Sequence, residues 1–440
     1  MDNSIIQGFS KYSKQQRIEA LIEKYNFDSD MGTWLSSFEA SNQATQRIIE
    51  DLSENPLSSF HLPFSIAPNF LVNGHNLFFP LVSEESSVVA ALANAAGFWA
   101  PRGGFHGEVL GTEKKGQVHF KWKGKAEKLR LLFPEIKECL LLESAFLMVK
   151  MVDRGGGVSS LELKEMNHIL SHYFQLDVGF QTCDAMGANF INSCLEQFAK
   201  SLQGFFSASE KVSGDEQDCQ IIMAILSNYT PGSRVRAWVE CPVTGLLEGK
   251  SEEENTLFAR EFEQAIRISQ ADISRAVTHN KGIFNGIDAL ALATGNDFRA
   301  IEACGHAFAA RNGPYSGLTD VEITDGTFRF GIELAMAVAV VGGVTAVHPL
   351  AGLALRILGN PSAPELMIYM AVAGLASNFA AVKALVSVGI QQGHMKMHLN
   401  NILAQLNVPA EKRPAIQLYF QDKTISFSAV EQYLKTHQDA

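Results

Sequence analysis

The chain has 440 residues, 46% of them hydrophobic, and a formal net charge of −11. That length makes about two or three domains with a sizeable core. The acidic balance, with no basic block, argues against nucleic acid and anionic membranes as partners, though not against a small anion in a local basic pocket.

The six cysteines are scattered and form no C-x-x-C pair, as expected of reduced core thiols in a cytosolic protein. The N-terminus has no apolar h-region, so no secretory signal is expected. Two apolar stretches approach the length of a membrane span. Residues 334–347 are too few to cross a bilayer, and Ser377 and Asn378 interrupt 366–382. Both are rich in Ala and Gly and read as close-packed helices of a soluble protein.

Residues 1–55 place apolar side chains at helical spacing (Ile18, Leu21, Ile22; Ile48, Ile49, Leu52) and read as an all-helical entry. Lys11, Lys14 and Arg17 read as a solvated helix face rather than a phosphate site. Asn73-Gly74, between apolar runs, predicts a β-hairpin. Glu85 follows at a strand-to-helix handover, with Ser86 or Ser87 near the cap of a small-residue helix. An acid there can simply complement the helix dipole.

Val118, Phe120 and Trp122 alternate as a strand, and 135–152 reads as a helix. Leu176, Val178 and Phe180 form a second strand. It runs into Asp184-Ala185-Met186-Gly187-Ala188-Asn189, a turn that opens a helix with Asp184 as its cap. Gly187 lets a ligand approach the backbone, and the free N–H groups suit a phosphate. Val235, Ala237 and Val239 alternate as a strand, and a single long helix is expected from Glu252 to Ala276. A helix from Ala300 and a polar β-like segment to Phe330 follow. Two Ala-rich helices then flank 342–349, and a charged tail begins near 389.

Between these lies the stretch from Thr278 to Arg299. Two polar clusters, HNKGIFNG and ATGND, bracket an apolar run that reads as a buried helix or strand. Gly282, Gly286 and Gly295 stand where a side chain would obstruct. Lys281 and Asp297 supply one charge at each end. Buried charges are paired or functional, so these two make either a structural ion pair or a site.

Several motifs mislead. No G-x-G-x-x-G follows a strand. TGLLEGKS at 244–251 lacks the first P-loop glycine. His394 and His398 have zinc-helix spacing without the HExxH glutamate, so no metal is expected.

Together, EESSVVAA, DAMGAN, NKGIFNGIDALALATGNDFRAIEA, GG-x-T-x-x-HP, NFLVNG and GIQQGHM-x-x-H resemble the soluble bacterial class of hydroxymethylglutaryl-coenzyme A reductases, with weaker similarity over nearly the whole chain. The resemblance implies Glu85, Lys281, Asp297 and His394 as catalytic residues and Asn285 as support for the lysine. Ser87 and Arg275 would hold the hydroxymethylglutaryl group. Asp184, Ala185, Met186, Gly187, Ala188 and Asn189 would form the family's own dinucleotide-binding turn. It further implies a homodimer with shared active sites, or a larger assembly built from it, and a C-terminal flap.

The chemistry asks for these residue types. Reducing a thioester to an alcohol takes two hydrides. The first creates an oxyanion that Lys281 can stabilise. The departing thiolate needs a proton, which His394 is suited to give. The second reduction needs another, and Glu85 can supply it only if desolvation and a nearby Asp297 keep it protonated.

Three segments depart from the family: Glu85-Ser86-Ser87 in place of Glu-Pro-Ser, Glu54-Asn55-Pro56-Leu57-Ser58, and His106-Gly107-Glu108. Apolar Met148 stands where an acid would read the NAD ribose. Lys150 is a candidate base for NADP, so the choice between NADPH and NADH stays open.

The expected architecture is α+β. A large helical substrate and coenzyme A domain (1–109 and 222–388) receives a small inserted dinucleotide-binding α+β domain (110–221), not a standard Rossmann fold. A helical flap (389–440) completes the chain. The expected activity is a four-electron reduction to mevalonate and free coenzyme A in the mevalonate pathway of isoprenoid synthesis. The alternatives are the same site run oxidatively and a non-catalytic acyl-coenzyme A-binding homologue.

Overall fold

The computed structural model describes residues 6–28, 30–387, 399, 402–403, 405–420, 423 and 425–437. Three helices come first: α1 (Lys14–Tyr25), α2 (Met31–Ser36) and α3 (Gln43–Glu50). Ser13 and Gln16 close a capping box on α1. The Lys14 ammonium is not a solvated face: it sits between Glu39 and Glu50, at 2.5 and 2.6 Å.

β1 (Phe64–Val72) and β2 (His75–Val82) form the expected hairpin. Asn73 and Gly74 have φ of 48° and 83°, the left-handed pair that a two-residue hairpin turn needs. α4 (Val88–Trp99) and β3 (His106–Val109) follow.

β4 (Lys114–Trp122), α5 (Ala126–Val152), β5 (Gly157–Glu165), β6 (Tyr173–Gln181), α6 (Ala188–Ala208) and β7 (Cys219–Ser227) come next. Their antiparallel sheet has the order β5-β6-β4-β7, with α5 and α6 packed on it. α5 begins at Ala126, well before the expected Glu135, and runs through Pro134. The ring removes one N–H, and the carbonyl left over belongs to exposed Arg130, where water can satisfy it.

β8 (Arg234–Pro242), α7 (Glu252–Ala271), α8 (Ile273–Ala293), α9 (Phe298–Ala309), β9 (Thr319–Thr324) and β10 (Thr327–Ala335) give a second sheet, β3-β8-β10-β9. The single helix expected from Glu252 to Ala276 is two. Asp272 turns extended, and its carboxylate caps α8 by accepting from the Ser274 N–H at 3.0 Å. α10 (Gly343–Val347), α11 (Pro349–Ile357) and α12 (Ala363–Ser387) follow.

The described residues form three hydrophobic cores. The first takes residues from Ala67 to Phe105 and again from Val235 to Val382. The second lies between Val118 and Cys219. The third is small and joins Leu399, Leu403, Ile416, Phe420 and Val430. α12 is long and apolar enough to cross a membrane, but it is packed within the first core against α8, α4, α7 and β8.

α8 resolves the ambiguity of the central stretch as a helix, and α12 is its closest partner. The glycines play different parts. A Cβ on Gly286 would lie 2.3 Å from the Ala373 carbonyl oxygen, whereas one on Gly282 would meet only Asn378, at 3.9 Å. Gly286 is therefore needed for the approach of the two helices and Gly282 is not, contrary to expectation. Gly286→Ala should destabilise the protein by about 1–3 kcal/mol through forced separation of the helices. An unchanged thermal unfolding midpoint would contradict this.

Candidate functional site

Lys281, Asn285 and Asp288 lie at i, i+4 and i+7 of α8 and so share one face. The turn between β2 and α4 faces it. Ser83 Oγ accepts from the Glu85 N–H at 3.1 Å. Glu85 then reaches the Lys281 ammonium at 2.5 Å. Both side chains are open to solvent, at 40% and 58% exposure, so this pair adds only about 0–1 kcal/mol of stability.

Ser87 is the residue before α4. It has φ 88° and makes no capping bond. A serine in this left-handed conformation costs on the order of 1 kcal/mol, which marks the turn as a place where geometry outranks stability. Arg275 is on the same helix. It lies about a third of a turn round the helix from Lys281, beside His279.

Sequence reasoning missed His279, which is buried on α8. Burial, with Arg275 second, lowers it to about 3. Its neutral ring bonds the Thr319 hydroxyl at 2.6 Å, and Asn378 of α12 binds its backbone carbonyl. No local signal separates such a histidine from an exposed one.

Beneath Lys281 lies an acidic contact. Asp288 Oδ1 is buried with no hydrogen-bond partner among the described residues. Burial, then Glu302 of α9, then Glu84 push its carboxyl well above the ordinary range. The folded chain therefore holds a proton that an unfolded aspartate releases near pH 4. Stability should fall as pH rises from about 4 through the raised value, and the difference should vanish below about 4. Asp288→Asn should flatten that decline, raising the unfolding midpoint at pH 8 but not at pH 4. Parallel midpoint–pH curves for the two proteins would refute the assignment.

The second half of the site is the turn between β6 and α6. Gly187 precedes α6 with φ 83°, and a Cβ there would lie 2.4 Å from Thr182 Cγ2, so only glycine fits. Asp184 is not the cap. Its Oδ1 instead accepts from the Ala363 N–H at the start of α12, at 2.8 Å, and its carbonyl accepts from Val340 at 3.0 Å.

Across from this turn, Asp297 caps α9 by accepting from the Ala300 N–H and pairs with Arg299 at 3.1 Å. The Asn296 amide clasps the Ala339 backbone at 3.0 and 2.8 Å. Thr345 Oγ1 donates to the Thr294 carbonyl at 2.9 Å. Together these walls enclose a cavity of about 540 Å³, lined by residues 185–190, 295–299 and 341–345. The 21-residue helix α6 points its free N–H groups at the turn. A polyanion such as a dinucleotide fits the donors present.

The two halves are apart within one chain. Lys281 to the end of α8 at Ala293 is about 18 Å at the helical rise, and Asp297 lies beyond that end. Lys281 meets Glu85 and Asp297 meets Arg299, so the Lys281–Asp297 ion pair considered from sequence does not form. Within one chain Asp297 also lies away from the Glu85–Lys281 pair, beyond the far end of α8. Met148 is buried in the second core, whereas Lys150 on the same helix is exposed. Met148 therefore cannot occupy a ribose-reading position. His394 lies outside the described residues.

Comparison with known proteins gives concordant matches. A family model described as hydroxymethylglutaryl-coenzyme A reductase matches residues 13–399. A 3-hydroxy-3-methylglutaryl-coenzyme A reductase of Archaeoglobus fulgidus is 35% identical, over 91% of this chain and 87% of that protein. A probable one of Borreliella burgdorferi is 33% identical, over 92% and 89%. Among solved structures, the Streptococcus pneumoniae reductase aligns with TM-score 0.71 and 35% identity, over 98% of this chain and 99% of that one. A class II form of it bound to NADPH in open conformations gives 0.70 and 36%, over 87% and 99%.

Proposed function

The chain belongs to the hydroxymethylglutaryl-coenzyme A reductase family, and from that premise we propose that it reduces (S)-hydroxymethylglutaryl-coenzyme A to mevalonate and free coenzyme A. The reaction consumes two NADPH or NADH and two protons. It serves the mevalonate pathway of isoprenoid synthesis, in the cytosol. The observation that carries this reading is the solvent-open Glu85–Lys281 pair on a strained turn, which stability alone does not justify.

Bound NAD(P)H supplies a hydride at each of two steps. The chain's own residues do the rest. Residues 184–189 hold the dinucleotide against the N-terminus of α6. Lys281 stabilises the oxyanion formed at the thioester carbonyl, and Asn285, one turn on, supports its ammonium. Ser87 and Arg275 hold the hydroxymethylglutaryl group. His394 gives the proton taken up by the thiolate. Glu85, through Lys281, serves the proton needed at the aldehyde oxygen.

Glu85 and Lys281 of one protomer work with Asp297 and the dinucleotide turn of another, which supports a homodimer with shared sites. In this division residues 110–221 bind the dinucleotide and 1–109 with 222–388 bind the thioester. Residues 389–440 close over the site. The test is to follow reduced-cofactor absorbance and free thiol together. Two cofactors oxidised per thiol released support the reading. Thioester binding without oxidation would instead favour a non-catalytic binding protein.

A further inference from the structure

Lys114 opens β4, pairs with Phe180 of β6 and is only 5% exposed. Its ammonium donates to the Thr182 hydroxyl and, at 2.6 Å, to the Ala185 carbonyl. The Thr182 hydroxyl in turn donates to that same carbonyl at 2.7 Å. Two donors, themselves hydrogen-bonded to each other, thus converge on one carbonyl, two residues before the glycine whose α-hydrogen packs on Thr182. The charged or titratable groups facing Lys114 are Cys183 and Asp184 of the turn. The small hollow beside it is otherwise lined by uncharged residues of α6, β7 and their neighbours, Met186, Ile191 and Asn228 among them. A buried ammonium with neutral acceptors and, among the described residues, no carboxylate in ion-pair contact is an expensive arrangement.

We propose that Lys114 is a positioning residue of the dinucleotide site, fixing the turn from Thr182 to Gly187 and placing a buried positive charge beneath it for the cofactor's phosphates. This rests on residues 184–189 being the dinucleotide-binding turn. Burial already lowers the Lys114 ammonium to about 8. A bound polyanion favours the charged form, so binding and protonation are linked. Affinity is then level below pH 8 and weakens above it, by up to about tenfold per pH unit until the bound state also loses the proton.

The test is the dissociation constant of NADH, followed by nicotinamide fluorescence from pH 6.5 to 9.5. NADH has no phosphate group titrating in that range. The wild type should weaken several-fold above pH 8. Lys114→Met should bind NADH about tenfold more weakly at pH 7 with a level pH profile, while its affinity for the thioester stays within twofold. Thr182→Val, which keeps the charge, should bind more weakly but retain the pH dependence. A level wild-type profile would overturn the proposal, as would Lys114→Met binding NADH like the wild type. If Lys114→Met fails to fold, the wild-type and Thr182→Val profiles still decide. A wild type that binds neither NADH nor NADPH at any pH would instead remove the reading of the turn itself.

Discussion

Lys281→Ala should lower kcat by about 10²–10³-fold or more, the usual effect of removing one group that stabilises an oxyanion. The unfolding midpoint should move little. The ammonium is 58% exposed and its partner Glu85 is 40% exposed, and such pairs contribute about 0–1 kcal/mol. This split between activity and stability is the informative part. A structural ion pair would lose neither much stability nor much rate, and a buried one would lose stability first. Lys281→Arg should not restore full activity, because a planar fork does not place its charge where a point ammonium does. Alanine turnover within threefold of wild type would remove Lys281 from the mechanism.

The second large effect is a recovery. Glu85→Gln and Asp297→Asn should each be nearly inactive alone, and asparagine preserves the cap on α9. Co-refolded in equal amounts, they should regain about a quarter of wild-type activity. Random pairing makes half the dimers mixed, and each mixed dimer has one site with both carboxylates intact. The expectation comes from the single chain: Glu85 is tied to Lys281, about three turns of α8 from the end that leads to Asp297. If both carboxylates came from one protomer, no mixed dimer would hold an intact site. The mixture would then stay inactive.

What could be read from sequence was mostly what is local. Asn73-Gly74 predicts its hairpin because two residues must adopt positive φ, and few residue types do so easily. Gly187 was legible as a glycine that lets a ligand approach the backbone, and its φ of 83° is a second reason for glycine there. What sequence hid depends on distant partners. Asp184 looks like a helix cap, but its carboxylate goes to Ala363, far along the chain. Asp272 breaks a continuous helical pattern, and only its cap reveals the break. The stretch after Lys281 reads equally as helix or strand, and its glycines disfavour helix, yet it is helix, with α12 packed against Gly286. Tertiary packing there overrides propensity.

The site residues were named from family motifs, and spacing alone could not have paired Lys281 with Glu85. The half-buried acids Asp288 and Glu302 lie inside a family motif that assigns them no role, and the buried Lys114 lies in no motif. Only burial and their neighbours single them out.

The most direct measurement of the proposed reaction uses NADPH deuterated at both C4 positions, with hydroxymethylglutaryl-coenzyme A as substrate and mass spectrometry of the product. The account predicts mevalonate carrying two deuterons on the single carbon that was the thioester carbonyl, with one free thiol per molecule formed. Product with one deuteron, or thiol released without deuterium transfer, would contradict the two-hydride reduction.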